Sequence, residues 1–140
     1  MQHQVFGRKL NRDIKERKSL FRNLIISLVT YGRIRTTLAK AKAIQGLTEK
    51  MVTHAKDGTD VSMRQVTSIL TSKKSVEKLT KEIIPRFSDK VGGYVRIRRI
   101  GRRSGDNAEE VIMEWSVEED KNKKIEEVKK TPENKKKKII

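Results

Sequence analysis

The chain has 140 residues, a length that fits one domain, and only 34% of them are hydrophobic, so its core must be small. Its formal net charge of +16 means that its basic side chains repel one another in the free protein, which indicates a polyanionic partner. The chain has no cysteine, no run near the ~20 apolar residues of a membrane span, and no secretion signal at its start, so we predict a cytoplasmic protein without disulfides or membrane contact.

Residues 1–12 show no sustained apolar period, and three basic side chains lie close together in them. Such a segment cannot bury enough apolar surface to hold itself in place. A frayed terminus is one interpretation. We favour a basic arm that becomes ordered on nucleic acid, with contacts from Arg8, Lys9 and Arg12.

The next segment, 13–32, predicts an amphipathic helix. Its apolar residues recur at helical spacing and are Leu20, Phe21, Leu24, Ile25, Leu28 and Val29. Asp13 and Glu16 resemble an acidic capping box, and Gly32 suits a left-handed end. The side chains that we predict to bind an anionic partner beside this face are Lys15, Arg17, Lys18, Arg22 and Asn23.

A short strand and a second helix are predicted next. In residues 33–37, Ile34 can face inward while Arg33 and Arg35 face outward. Thr37 can cap a helix over residues 38–56. Lys40 and Lys42 near its start oppose the helix dipole, which indicates either a solvated face or a second set of binding cations.

Residues 60–85 predict two shorter helices that serve as scaffold, because Glu77 and Glu82 intersperse acids among their lysines. Pro85 is expected to end the second helix. A polar residue can cap each of them: Asp60 or Ser62 the first, Ser72 or Ser75 the second.

A β-hairpin is predicted near the end of the folded part, with strands over 94–100 and 108–117 joined by a turn. Valine and isoleucine alternate with arginine in the first strand. Guanidinium groups fit phosphate oxygens and stack on bases. We therefore predict RNA or DNA contact from the five arginines of this segment, Arg96, Arg98, Arg99, Arg102 and Arg103.

The last residues, 119–140, are rich in lysine and poor in hydrophobic residues, which is typical of disorder. The chain is thus divided into a basic arm (1–12), a globular part (13–118) and a tail. We expect the hairpin arginines to contribute more RNA affinity than the tail lysines, since the tail must lose entropy to bind.

Two other classes of protein are possible on composition alone. An enzyme is disfavoured, because neither His3 nor His54 has a recognisable nucleophile or metal-ligand partner, and no phosphate-binding loop is present. A DNA-binding regulator could use the helices at 60–84 as a helix-turn-helix. The acidic residues of the second helix argue against that use.

Four motifs occur in order: GRKLNR at 7–12, FRNLIISLV at 21–29, RTTLAKAK at 35–42, and GGYVRI with a following GDNA within 92–108. Together they resemble the seventeenth family of bacterial large-subunit ribosomal proteins, over about residues 1–117.

The resemblance implies an α/β (α+β) domain of about four helices packed on a small mixed sheet that includes the hairpin. It also implies a structural constituent of the large ribosomal subunit that binds and stabilises folded ribosomal RNA. Its place would be near the rim of the exit tunnel, beside other ribosomal proteins. No catalysis, cofactor, metal or small-molecule substrate is implied.

Overall fold

The computed structural model describes residues 7–117, so the predicted tail and the first half of the predicted arm lie outside the described residues. The described part contains four α-helices and three β-strands. In chain order they are α1 (Ile14–Tyr31), β1 (Arg33–Thr37), α2 (Leu38–Asp57), α3 (Asp60–Ile69), α4 (Lys73–Lys78), β2 (Val95–Arg102) and β3 (Glu109–Trp115).

The three strands form one sheet in the order β1-β3-β2. The prediction of helices on a small sheet with a C-terminal hairpin is confirmed, but the sheet is antiparallel throughout and not mixed. The reason is that β3 returns from the hairpin turn into the centre of the sheet. Strands β1 and β2 are parallel to each other, yet each pairs only with β3.

The helices cover one face of the sheet, and the core lies between them. Val111, Met113 and Trp115 of β3 are buried on that face. They belong to one apolar cluster that also takes in Leu28 of α1 and Ile44 of α2. The predicted apolar faces of both helices are therefore confirmed, although the early residues of α1's face, up to Leu24, are only half-buried.

The helix ends differ from the predicted caps. Asp13, Thr37 and Ser72 occupy the N-cap positions of α1, α2 and α4, but none of their side chains accepts a capping hydrogen bond. Helix α3 is capped by Thr59, whose hydroxyl accepts from the Ser62 N–H at 3.3 Å, and not by Asp60 or Ser62. Gly32 ends α1 as predicted, in the left-handed region at φ 77°, where a Cβ would be strained.

The second short helix of the predicted scaffold is not one regular helix. After six residues of α4, the chain widens into a π-helical turn, Leu79–Ile83, and then tightens into a 3-10 turn, Ile84–Phe87. Pro85 cannot donate a backbone hydrogen bond, which disfavours a regular α-helical continuation. The change of pitch puts Phe87 in the core, where its ring meets that of Tyr94 edge-on at 5.3 Å between centroids.

Within residues 7–117, no helix is long and apolar enough to cross a membrane.

Candidate nucleic-acid interface

The face of the sheet turned away from the helices gathers basic residues from two distant segments. Directly opposite residues of an antiparallel pair lie on the same face. The strand register puts Arg33 and Arg96 on either side of Glu114. One step along, Arg35 and Arg98 flank Ile112 in the same way. We call this surface, formed by Arg33, Arg35, Arg96, Arg98, Glu110, Ile112 and Glu114, the outer face.

The two glutamates of the outer face lie beneath the arginines. The side chains of Glu110 and Glu114 are 13% and 11% exposed, whereas that of Arg35 is 66% exposed. Arg35 donates from Nε to Glu110 at 3.1 Å and also pairs through Nη2. Arg96 Nε donates to Glu114 Oε1 at 2.7 Å, and Arg98 Nη2 lies 3.9 Å from its other oxygen.

This arrangement suits recognition of a phosphate-rich surface. A guanidinium has five N–H donors in a fixed plane, and a carboxylate engages two of them at most in a bidentate pair. The remaining N–H donors of Arg35 and Arg98 belong to exposed side chains, and each of these side chains is paired with a glutamate of the central strand, β3. Four arginines against two glutamates leave the outer face with a positive balance.

The five predicted hairpin arginines do not all lie on the outer face. A register shift between Arg99 and Gly101 leaves Ile100 unpaired. Arg99 and Arg102 lie opposite Val111 and Glu109, on the face that the helices cover, although both side chains are exposed. The five arginines therefore do not form one surface, because a strand sends alternate side chains to opposite faces.

The turn itself is closed by an ion pair. Arg103 binds Asp106 through two hydrogen bonds of 3.1 and 2.5 Å, and the Ala108 N–H donates to the same carboxylate at 3.3 Å. The Arg103 hydrogen bond, helped by the Ala108 N–H, lowers the pKa of Asp106 to about 2. The same carboxylate raises the pKa of Arg103.

Helix α2 fixes the start of the hairpin through two charged residues that were not predicted. The Glu49 carboxylate accepts from the backbone N–H groups of Tyr94 and Val95, at 3.2 and 3.1 Å. The Lys56 ammonium donates to the carbonyls of Phe87 and Lys90, at 2.9 and 2.5 Å. These contacts join residues at least 31 positions apart, so no local pattern could have revealed them.

The second basic surface lies at the start of α1. Residues Lys9–Arg12 form a turn in which the Arg12 N–H donates to the Lys9 carbonyl at 3.1 Å. The turn has two left-handed residues, Leu10 and Asn11, at φ 53° and 51°. Most predicted side chains here are exposed, namely Arg8, Lys9, Arg12, Lys15, Lys18, Arg22 and Asn23, while Arg17 is half-buried. At the start of α2, Lys42 is exposed and Lys40 half-buried.

Glu110 and Glu114 were not among the functional residues predicted from the sequence. Their placement could have been predicted, because Glu110, Ile112 and Glu114 are every second residue of β3 and therefore lie on one face of the sheet. Among residues 7–117, no three His, Cys, Asp or Glu side chains come together as a metal site would require.

The fold and these surfaces define a class: a small basic α/β protein whose exposed charge is arranged for a polyanion. Comparison with known proteins gives the family. A family model described as ribosomal protein L17 matches residues 20–116. The chain belongs to the ribosomal protein L17 family, in agreement with the resemblance found in its motifs.

Several curated relatives are similar along most of their length, and each is described as a large ribosomal subunit protein bL17. The protein of Thermodesulfovibrio yellowstonii is 46% identical over 82% of this chain and 86% of its own. That of Thermomicrobium roseum is also 46% identical, over 82% of this chain and 98% of its own. The Clostridium acetobutylicum protein is 45% identical over 76% and 94%.

Proposed function

We propose that this protein is a structural constituent of the large ribosomal subunit and that its outer face binds and stabilises folded ribosomal RNA. One observation carries the proposal. The fold brings Arg33 and Arg35 beside Arg96 and Arg98, some sixty residues later in the chain, on a surface that buries no core residue. Membership of a ribosomal protein family, whose role is structural and not enzymatic, identifies the polyanion as ribosomal RNA.

The mode of binding follows from the chemistry of the surface. A flat array of guanidinium groups can contact phosphates and 2′-hydroxyl groups without reading bases, which is how folded RNA is recognised by its shape. The basic turn and the exposed side of α1 supply a second set of contacts, from Arg8, Lys9 and Arg12 onward to Arg22. Two such surfaces on one small core suit a protein that ties neighbouring RNA segments together.

The finer location is part of the same proposal. Resemblance to the family supports a place near the rim of the exit tunnel, beside other large-subunit proteins, in ribosomes of the cytoplasm. Family membership also favours this function over a DNA-binding regulator. Moreover, α4 has only six residues before the chain leaves α-helical geometry, so it offers a poor recognition helix.

The test is co-sedimentation with large subunits through a high-salt wash. The wild-type protein should remain bound, and Arg35→Ala/Arg98→Ala should be largely washed off, because charge-assisted hydrogen bonds are worth roughly 1.5–3 kcal/mol each. The matched control is Arg64→Ala/Lys81→Ala, which removes two exposed cations from α3 and the π-helical turn. Equal retention of both double variants would contradict the proposed role of the outer face.

A further inference from the structure

A groove of about 290 Å³ lies between helices α1, α2 and α3. Because helices alone form it, the groove is separate from the outer face of the sheet. Each helix contributes one apolar residue, half-buried against the core: Phe21, Leu47 and Ile69. The polar lining consists of two cations of α1 and one hydroxyl of α3, from Lys18, Arg22 and Ser68. The volume is close to the lower end of the roughly 300–1,000 Å³ typical of small-ligand sites.

The apolar part of the groove belongs to the half of α1 that the core does not fully cover. Ile25 and Leu28, in the later half, are fully buried, whereas Phe21 is only half-buried. Ile14, two turns before Phe21 on the same side of the helix, is 64% exposed. The apolar stripe of α1 therefore extends past the core, and exposed apolar surface with a polar rim is typical of an interaction site.

The cationic rim of the groove has no compensating charge within residues 7–117. Lys18 and Arg22 are exposed, lie one turn apart on α1, and form neither an ion pair nor a hydrogen bond with another described residue. None of the residues that line the groove carries a carboxylate. Like charges one turn apart repel each other, so an anion beside both would be stabilised.

The opposite rim of the groove offers hydrogen-bond acceptors. Ser68 donates its hydroxyl to the Gln65 carbonyl at 2.7 Å, so its oxygen remains able to accept. Ile69 is the last residue of α3, and the last carbonyls of an α-helix have no partner within the helix. This end of a helix also carries partial negative charge. The groove therefore has a cationic side, an apolar middle and an accepting side.

We propose that this groove binds one unpaired nucleotide of ribosomal RNA, with its base against Phe21 and its phosphate on Lys18 and Arg22; the inference rests on the proposed function. Unpaired bases stack on aromatic rings and guanidinium planes and are hydrogen-bonded through their edges. Every base presents ring or amino N–H groups, which the acceptors at the end of α3 can bind while the phosphate stays at the cations. An acidic protein segment fits less well, because its carboxylates would meet the negative end of α3.

The substitution Phe21→Trp gives the groove a fluorescent ring. We would titrate this full-length variant with a folded large-subunit ribosomal RNA transcript. The wild-type chain, whose single tryptophan is the buried Trp115, supplies the background signal. RNA should quench the added emission in a saturable way, since a stacked base lies in contact with the indole. Phe21→Trp should also bind RNA as tightly as the wild-type chain, because it keeps an aromatic ring.

Removal of the ring gives an independent readout. Phe21→Leu should lower RNA affinity about fivefold, the lower end of what one base–aromatic stack contributes, and should expose one unpaired RNA base to chemical modification. Tyr31→Leu is the matched control, because it removes a 76% exposed ring from the same helix outside the groove. It should leave that base protected.

The outcomes separate the groove from the proposed function. RNA binding with unchanged emission of Phe21→Trp, and with the same protected bases in Phe21→Leu, would overturn the groove as a site and leave the proposed function standing. A change of emission with poly-glutamate alone would assign the groove to an acidic protein, and a change with protein concentration alone would assign it to a second copy of this chain. Either result would overturn the inference. Failure of the wild-type chain to bind RNA would refute the proposed function itself.

Discussion

The two faces of the sheet differ more than any other two regions of this molecule, although β3 contributes to both. On one face, Val111 and Met113 are fully buried against the helices. On the other, Glu110 and Glu114 alternate with them and hold arginines of the neighbouring strands. One strand of seven residues thus contributes to the core with its odd-numbered residues and, under the proposed function, to RNA binding with its even-numbered ones.

The comparison also shows what acidic residues do on a basic surface. If they served only to reduce charge, they would be expected at exposed positions. Glu110 and Glu114 are instead largely covered, and Arg35 and Arg96 lie above them. We interpret them as supports that set the direction of the guanidinium groups before RNA arrives, which reduces the ordering cost of binding.

The largest expected effect is a loss of stability, from a substitution on the face of the sheet that the helices cover. Met113→Ala should lower the free energy of unfolding by about 2–5 kcal/mol, because Met113 is fully buried and its truncation leaves a cavity. Its neighbour on the other face gives the matched control: Ile112→Ala, at a half-buried position, should cost about 1 kcal/mol. Urea unfolding would measure both, and equal losses would show that the two faces do not divide their roles in this way.

A smaller effect tests the supports of the outer face. Glu114→Gln makes the protein more positive by one charge, which by itself favours RNA binding. We expect RNA affinity to fall by two- to fivefold, since loss of a partly exposed pair is worth about 0.5–1 kcal/mol. Filter binding at fixed salt would decide the sign, with Glu77→Gln as the control that removes one carboxylate and its exposed pair with Lys81, away from the outer face. Tighter binding by Glu114→Gln would mean that the glutamate only offsets charge.

The smallest effect concerns pH at the hairpin turn. The pKa of Asp106 is lowered to about 2, chiefly by its hydrogen bond with Arg103, so the folded turn favours the ionised carboxylate. Its contribution to stability is therefore present above the ordinary pKa of 3.8 and is lost as pH falls through about 2. Carboxyl chemical shifts should show Asp106 titrating near pH 2, with no change of the turn between pH 5 and 8. A midpoint near 4 would show that the pair does not form in solution.

Much of the outer face could be predicted from the sequence, because side chains alternate between the two faces of a strand and this alternation can be read from a few neighbouring residues. The alternation of Arg96, Ile97 and Arg98 predicted which side chains face outward, and the register confirms it. The same alternation should have divided the five hairpin arginines between two faces. Counting charge along the chain without regard to this alternation placed Arg99 and Arg102 in one cluster with Arg96 and Arg98, although they lie on the other face of the sheet. Their contact with RNA stays a prediction.

The remainder depends on contacts that a sequence does not display. Glu49 and Lys56 look like ordinary surface charges of α2, yet both bind backbone groups more than thirty residues away. The π-helical turn after α4 has no local signature beyond Pro85 two residues past its end. The cap of α1 was predicted at the correct residue, but the exposed Asp13 carboxylate accepts no capping hydrogen bond, which the sequence alone does not reveal.

The most direct test of the central claim, that the outer face meets ribosomal RNA, uses the absence of cysteine from the chain. A single cysteine at Ile112→Cys, in the middle of the outer face, can carry a tethered iron chelate that generates hydroxyl radicals. Val61→Cys, at a 65% exposed position on α3, carries the same probe as the control. In assembled large subunits, position 112 should cut ribosomal RNA strongly at a few defined sites and position 61 more weakly. Absence of cleavage from position 112, with the protein incorporated, would contradict the account.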